Sequence, residues 1–185
     1  MTATNNPNNT SDGYLQNYTT DDILEVRVKG TEIEYLVNNV VIYYSTIEAT
    51  FPLYPCIASW GAWDSGYIGA TVGIKNVQIY KYGQHIALPE YNQQIIQWNL
   101  NKTKNIDFNA DGGIITNVHT PTSVVDTWPA YAMSTEKIYQ NNDNYQSIKF
   151  QKKTLDSGFA FGLSLDHENW ITVSYRYSAI DFAFV

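Results

Sequence analysis

Ile23-Leu-Glu-Val-Arg-Val-Lys29, Glu32-Ile-Glu-Tyr-Leu-Val37 and Val40-Val-Ile-Tyr-Tyr44 follow one another with only Gly30-Thr31 and Asn38-Asn39 between them. In the first segment Ile23, Glu25, Arg27 and Lys29 alternate with Leu24, Val26 and Val28, a period of two that makes one face apolar and the other charged. That is the pattern of a half-buried strand. The second segment repeats the alternation, Gly30 supplies a turn, and Asn38-Asn39 can adopt the positive φ that two-residue hairpins demand. The stretch therefore predicts three antiparallel strands in a meander.

Working outward, Pro52 and Pro55 bound Leu53 and Tyr54, and Cys56 to Trp60 is a short apolar run before a glycine-punctuated loop, Gly61 to Gly69. Val72, Ile74, Val77 and Ile79 read as a strand whose 74-to-77 step breaks alternation, which places a bulge near Lys75-Asn76. Gln84 to Gln97, with Pro89, is a mixed stretch that connects two halves of the chain. Beyond it, Asn105 to Phe108 and Gly113 to Asn117 read as a hairpin around Asn109-Ala-Asp-Gly112. Gln146 to Gln151, Phe159 to Leu165, Ile171 to Tyr177 and Ala179 to Val185 read as further short strands. About a dozen short strands separated by turn residues argue for an all-β sandwich or barrel.

Composition agrees. Of 185 residues, 16% are charged, against about 25% in an average soluble protein, while 15% are aromatic, with fifteen Tyr and five Trp. Strand-favouring residues thus abound, and eighteen asparagines serve the turns. The length fits one domain. Residues 1–13 are polar and Asn-rich and read as an arm that orders only against a partner; residues 14–185 read as a single domain, divided into 14–83, the connection 84–98, and 99–185. A net charge of −7 leaves no basic field for phosphates, so nucleic acid is not an expected partner. No run approaches the roughly 20 apolar residues of a membrane span, and the first residues lack the charged and apolar regions of a secretory signal. Cys56 is the only cysteine, so a zinc finger or a disulfide framework is not expected.

Asp22-Ile-Leu-Glu-Val-Arg-Val28, Ile33-Glu-Tyr-Leu-Val-Asn-Asn-Val-Val-Ile-Tyr-Tyr-Ser45, Pro52-Leu-Tyr-Pro55 and Gly69-Ala-Thr-Val-Gly-Ile-Lys-Asn-Val77 resemble the second half of a concanavalin A-like jelly-roll domain of the phage tail, fibre and bacterial surface type. Ala132-Met-Ser-Thr135, Gln146-Ser-Ile-Lys-Phe150, Phe159-Ala-Phe-Gly-Leu-Ser164 and Ala179-Ile-Asp-Phe-Ala-Phe184 resemble its first half. The chain departs from the pattern at Asn39, where the family prefers glycine. The resemblance covers most of the chain with its halves in reversed order. It implies an antiparallel β-sandwich, a concanavalin A-like jelly roll, either circularly permuted and closed within one chain or completed by a half donated from a neighbour. Permutation is favoured, because the termini of compact domains often lie close together.

Lectins and glucanases of that superfamily direct attention to sugar chemistry. A pyranose presents an apolar face to aromatic rings and hydroxyls to Asp, Asn or backbone groups, and Trp60, Trp63, Asp64 and Tyr67 supply this mixture in one loop. Asp166, Asn169 and Trp170 form a second, weaker group. The competing reading is that these tryptophans cap the sandwich core. Glu32 and Glu34 have the i, i+2 spacing of a glycosidase pair but match no catalytic triplet and alternate as a solvated face would, so no enzyme activity is expected. Asp107, Asn109 and Asp111, followed by Gly112, match the opening of a calcium loop, yet its twelfth position is Val118, and a hairpin turn is the favoured reading. His85, His119 and His167 show no paired ligand spacing. No cofactor is expected. The resulting expectation is a non-enzymatic attachment module that binds a glycan or surface polysaccharide, displayed on a virion or extracellular surface without a secretory signal peptide. It would act as a homo-oligomer or within a larger assembly. The alternative is a structural subunit of a capsid, fibre or filament whose arm and edge strands contact neighbouring subunits and which binds no ligand.

Overall fold

A computed structural model describes residues 19–59, 73–80, 93–94, 98–104, 106–108, 115–117, 130–152, 159–166 and 180–184, together with the backbone of 3–5. The strands in chain order are β1 (Ala3–Asn5), β2 (Leu24–Lys29), β3 (Glu32–Val37), β4 (Val40–Tyr44), β5 (Tyr54–Ser59), β6 (Gly73–Tyr80) and β7 (Gln93–Gln94). They continue with β8 (Trp98–Lys104), β9 (Ile106–Phe108), β10 (Ile115–Asn117), β11 (Ala130–Ser134), β12 (Gln146–Lys152), β13 (Phe159–Ser164) and β14 (Phe182–Phe184). No helix occurs among the described residues. One sheet has six strands in the order β1-β14-β13-β5-β11-β8; the other has eight, β4-β3-β2-β12-β6-β10-β9, with β7 also beside β6. The all-β sandwich expected from the sequence is present.

The meander forms as its residues dictate. β2 and β3 pair from Leu24↔Val37 to Lys29↔Glu32, and Asn38 and Asn39 both take positive φ, 51° and 65°, as a type I′ hairpin turn requires. The turn is fastened from outside. Asn38 Nδ2 donates to Asp22 at 2.6 Å, Asn38 Oδ1 accepts from the Ile23 amide, and the Thr19 amide donates to the same Asp22 carboxylate. These donors, Thr19 first, hold the Asp22 carboxyl below its usual range. Two bulges shape the eight-stranded sheet. Between Lys149↔Gln78 and Gln151↔Lys75 β6 carries one residue more than β12, which is the irregularity that the 74-to-77 step announced. In β4 the extra residue is Ile42, between Val41↔Leu36 and Tyr43↔Tyr35, so that Ile42 and Tyr43 both pack on the core.

The core lies between the sheets. Leu24, Val26, Val28, Ile33, Tyr35, Ile79, Ile148 and Phe150 face inward from the eight-stranded sheet, and Ile57, Ala132, Phe161, Leu163, Phe182 and Phe184 meet them from the six-stranded one. Rings tie the layers together: Phe150 and Phe161 have centroids 4.2 Å apart, and Tyr35 meets Phe184 edge-on at 5.4 Å. Burial, with Tyr43 adding to it, pushes the Tyr35 hydroxyl well above its ordinary range, so the ring stays a neutral bolt between the sheets. β13 and β14 approach closely at Gly162, where a Cβ would lie 1.8 Å from the Phe182 carbonyl oxygen. Pro55 sits in β5 opposite Leu163, one residue before the pairing with β11 begins at Cys56↔Met133, so its missing N–H interrupts no rung with β11.

The two halves of the chain interleave. β12, from the second half, stands between β2 and β6, and β5, from the first, stands between β13 and β11. Each sheet thus takes strands from both halves of the chain. Elsewhere the structure adds to the sequence reading. Ala3–Asn5, expected as part of a partner-seeking arm, lies along β14 of its own chain, and Gln93–Gln94 within the expected connection pairs with β6. Trp98–Lys104 forms β8, a strand that low β-propensity residues concealed. β9 and β10 pair as the predicted hairpin. The strand expected over Ile171 to Tyr177 falls outside the described residues.

Candidate functional site

Most of the residues singled out for sugar binding, Trp60, Trp63, Asp64, Tyr67, Asn169 and Trp170, fall outside the described residues, as do Asn109, Asp111, His85, His119 and His167. The strands that lead to them are described, however, and their register separates the two groups. Ser59, after which Trp60 follows, is opposite Phe159, whereas Ser164, which precedes Asp166 by two residues, is opposite Tyr54. Ser59 and Ser164, the last residues of β5 and β13, thus stand at opposite ends of this pair of strands, roughly 17 Å apart at about 3.3 Å per residue. Asp166 itself is exposed. Asp107 lies in β9 opposite Thr116. Among the described residues no group of three or more His, Cys, Asp or Glu side chains is placed to hold a metal ion.

A different cluster comes together on the outer face of the eight-stranded sheet. Pairing of β2 with β3 and β12, and of β12 with β6, puts Glu34, Arg27, Ser147 and Tyr80 in one row, with Leu36, Glu25, Lys149 and Gln78 in the next. Period-two reading assigned the charged face of β2 to solvent, but Glu25 is only 1% exposed. A carboxylate so far from water requires partners. Arg27 supplies a two-pronged contact, Nε at 3.2 Å and Nη2 at 3.3 Å, and Lys149 Nζ a third at 3.3 Å. Arg27 Nη1 also reaches Glu34 at 3.4 Å, and Lys149 donates to Asn39 Oδ1. Glu34 therefore faces a cation, while Glu32 stays exposed opposite Lys29, so the spacing that raised a glycosidase pair becomes two different environments.

Rings complete the layer. The Arg27 guanidinium lies 4.4 Å from the centroid of Tyr145, and Lys149 Nζ 4.7 Å from that of Tyr80. The Tyr80 hydroxyl donates to Gln78 Oε1 at 2.8 Å. Long side chains laid flat in this way shield the sheet beneath them, which is why Leu36 is buried on what would otherwise be a wet face. At the centre stands a small residue. Ser147 is flanked across the strands by Arg27 and Tyr80 and along its own chain by Tyr145 and Lys149. Its hydroxyl is fully buried and has no hydrogen-bond partner among the described residues. A buried hydroxyl left unmatched costs about 1–3 kcal/mol.

This cluster escaped sequence reading because its members come from segments spread over more than a hundred residues, and only the register unites them. No protein-family model and no curated protein sequence matches this chain. Its chemistry has to be argued from the arrangement. Two tyrosine rings, donors on Arg27 and Lys149, and acceptors on Glu34 and Gln78 share one half-buried face, above the buried Ser147. Such a surface can stack against a flat ligand and exchange hydrogen bonds with its polar groups.

Proposed function

We propose that this protein is a non-enzymatic attachment module that binds carbohydrate, displayed on a virion or extracellular surface, and that its sandwich is a concanavalin A-like jelly roll with its halves in permuted order. The observation that carries the reading is the polar and aromatic layer around Ser147. Tyr80 and Tyr145 offer rings, and the flanking ions offer both donors and acceptors, the combination a polyhydroxylated ring needs. The loop from Trp60 to Tyr67 remains the second place where a glycan would engage. Binding without catalysis is favoured because Glu25 and Glu34 are engaged by Arg27 rather than set opposite each other across a cleft.

A glycan array read with the wild type, Tyr145→Ala and Trp63→Ala tests this. Binding by the wild type that drops at least tenfold in Tyr145→Ala places the ligand on the sheet face, and a drop confined to Trp63→Ala places it on the loop. No glycan retained by the wild type removes the proposal. Hydrolysis of an array sugar that Glu34→Gln abolishes would replace binding with catalysis.

A further inference from the structure

The register that sets Glu34 beside Arg27 also sets Tyr44 beside Glu34. One row therefore crosses five strands, with Tyr44 on β4, Glu34 on β3, Arg27 on β2, Ser147 on β12 and Tyr80 on β6. Glu34 lies on the side away from the core, since its neighbours Ile33 and Tyr35 are buried there, and Tyr44 shares that side. Neighbouring strands are about 4.8 Å apart, which puts the two tyrosines of the row roughly 19 Å from each other. Tyr44 is 61% exposed, whereas Tyr80 and Tyr145 are half-buried. β4 ends the order of the sheet, so a ligand that crosses Tyr44 meets no further strand of it among the described residues.

The ions along the row are already matched. Arg27 directs Nε and Nη2 to Glu25 and Nη1 to Glu34, while Lys149 reaches Glu25 and Asn39. Two cations and two carboxylates leave the layer without net charge, in a chain that carries −7. A sugar acid would need the guanidinium fork that Glu25 fills, and it would meet the Glu34 carboxylate beside that fork. An uncharged hydroxyl needs no such exchange. It can donate to Glu34 or Gln78 and accept from the N–H groups of Arg27 and Lys149 that lie outside those pairs. Resting on the carbohydrate reading, we infer that this face takes an uncharged oligosaccharide several rings long, laid across the strands, with Tyr44 as its contact at the sheet edge. A single sugar ring cannot touch Tyr44 and Tyr80 together; a chain that spans the row engages both.

The test is calorimetric titration of the full chain with neutral gluco-, xylo-, manno- and galacto-oligosaccharides, each as disaccharide and hexasaccharide, and with oligogalacturonates of the same lengths. For the neutral sugar that binds best, the hexasaccharide should bind at least about tenfold more tightly than its disaccharide and than the acidic hexasaccharide. Tyr44→Ala should cut the gain with length to about twofold, and Tyr44→Phe, which keeps the ring, should retain it. Unfolding of both variants in urea at the wild-type midpoint shows that a lost gain is not a lost fold. Equal affinity for disaccharide and hexasaccharide, a preference for the acidic series, or a gain that survives Tyr44→Ala overturns the inference. So does binding that only Trp63→Ala removes. In each of those cases sugar is still bound and the carbohydrate reading stands, whereas no binding of any series removes both.

Discussion

The outer faces of the two sheets solve the same problem by opposite means. On the six-stranded sheet Cys56, Met133, Ala160 and Ala183 form a small apolar cluster, each at most 2% exposed, around the bare backbone of Gly162. On the eight-stranded sheet the corresponding surface is charged, and Arg27, Lys149, Tyr80 and Tyr145 lie across Glu25 and Ser147 to shelter them. The difference is written in the strands. β13, Phe-Ala-Phe-Gly-Leu-Ser, is nearly continuous in apolar and small residues, as strands buried on both sides are, whereas β2 and β3 alternate. Alternation marks which face is apolar; it does not mark which face is wet.

The largest expected effect comes from the apolar side. Gly162→Ala would drive a methyl into the Phe182 carbonyl, which neither strand can yield, and stability to urea should fall by about 3 kcal/mol or more. A variant as stable as the wild type would show that β13 and β14 do not approach as described. Met133→Lys buries a cation among Cys56, Ala160 and Ala183 with no counter-ion in that cluster, and should cost about 3 kcal/mol. If it unfolds at the wild-type denaturant concentration, that face is not sealed.

Smaller losses are expected on the charged side. Arg27→Ala leaves Glu25 to Lys149 alone and uncovers Tyr145, for about 2 kcal/mol in the same unfolding assay. A loss below experimental error would mean that water already serves Glu25. Ser147→Ala should be the mildest, neutral or stabilising by up to about 1 kcal/mol, because it removes a buried hydroxyl that has no partner among the described residues. Destabilisation beyond that would reveal a partner for the hydroxyl.

The meander was legible residue by residue because its signals are local. Leu24 to Tyr44 alternates, Asn38 and Asn39 tolerate positive φ, and one broken step between Ile74 and Val77 was enough to place a bulge. What depends on distant register was not legible. Nothing within β2 says that Lys149 will arrive beside Glu25, so a buried ion cluster read as a solvated face. β8 was hidden for another reason: Asn, Lys and Thr predominate in Trp98–Lys104, and pairing with β11 at the sheet edge imposes the strand that propensity does not favour. Composition alone singled out the two aromatic loop groups, most of which lie outside the described residues, and it could not tell that Ser59 and Ser164, the strand residues nearest them in the chain, stand at opposite ends of the β5–β13 pair.

The interleaving of the halves has a consequence for how the molecule is born. β2, β3 and β4 can zip together as they leave the ribosome, since each has its neighbour next to it in the chain. The far edge of β2 cannot close then, because β12, which will lie against it, begins only at Gln146. At about 5–20 residues per second, translation of the intervening stretch takes on the order of ten seconds. For that interval a nascent chain offers an open strand edge backed by Leu24, Val26 and Val28 to whatever is nearby. The finished sandwich conceals this hazard, which belongs to its synthesis, and holding factors that bind extended apolar segments would matter most in those seconds.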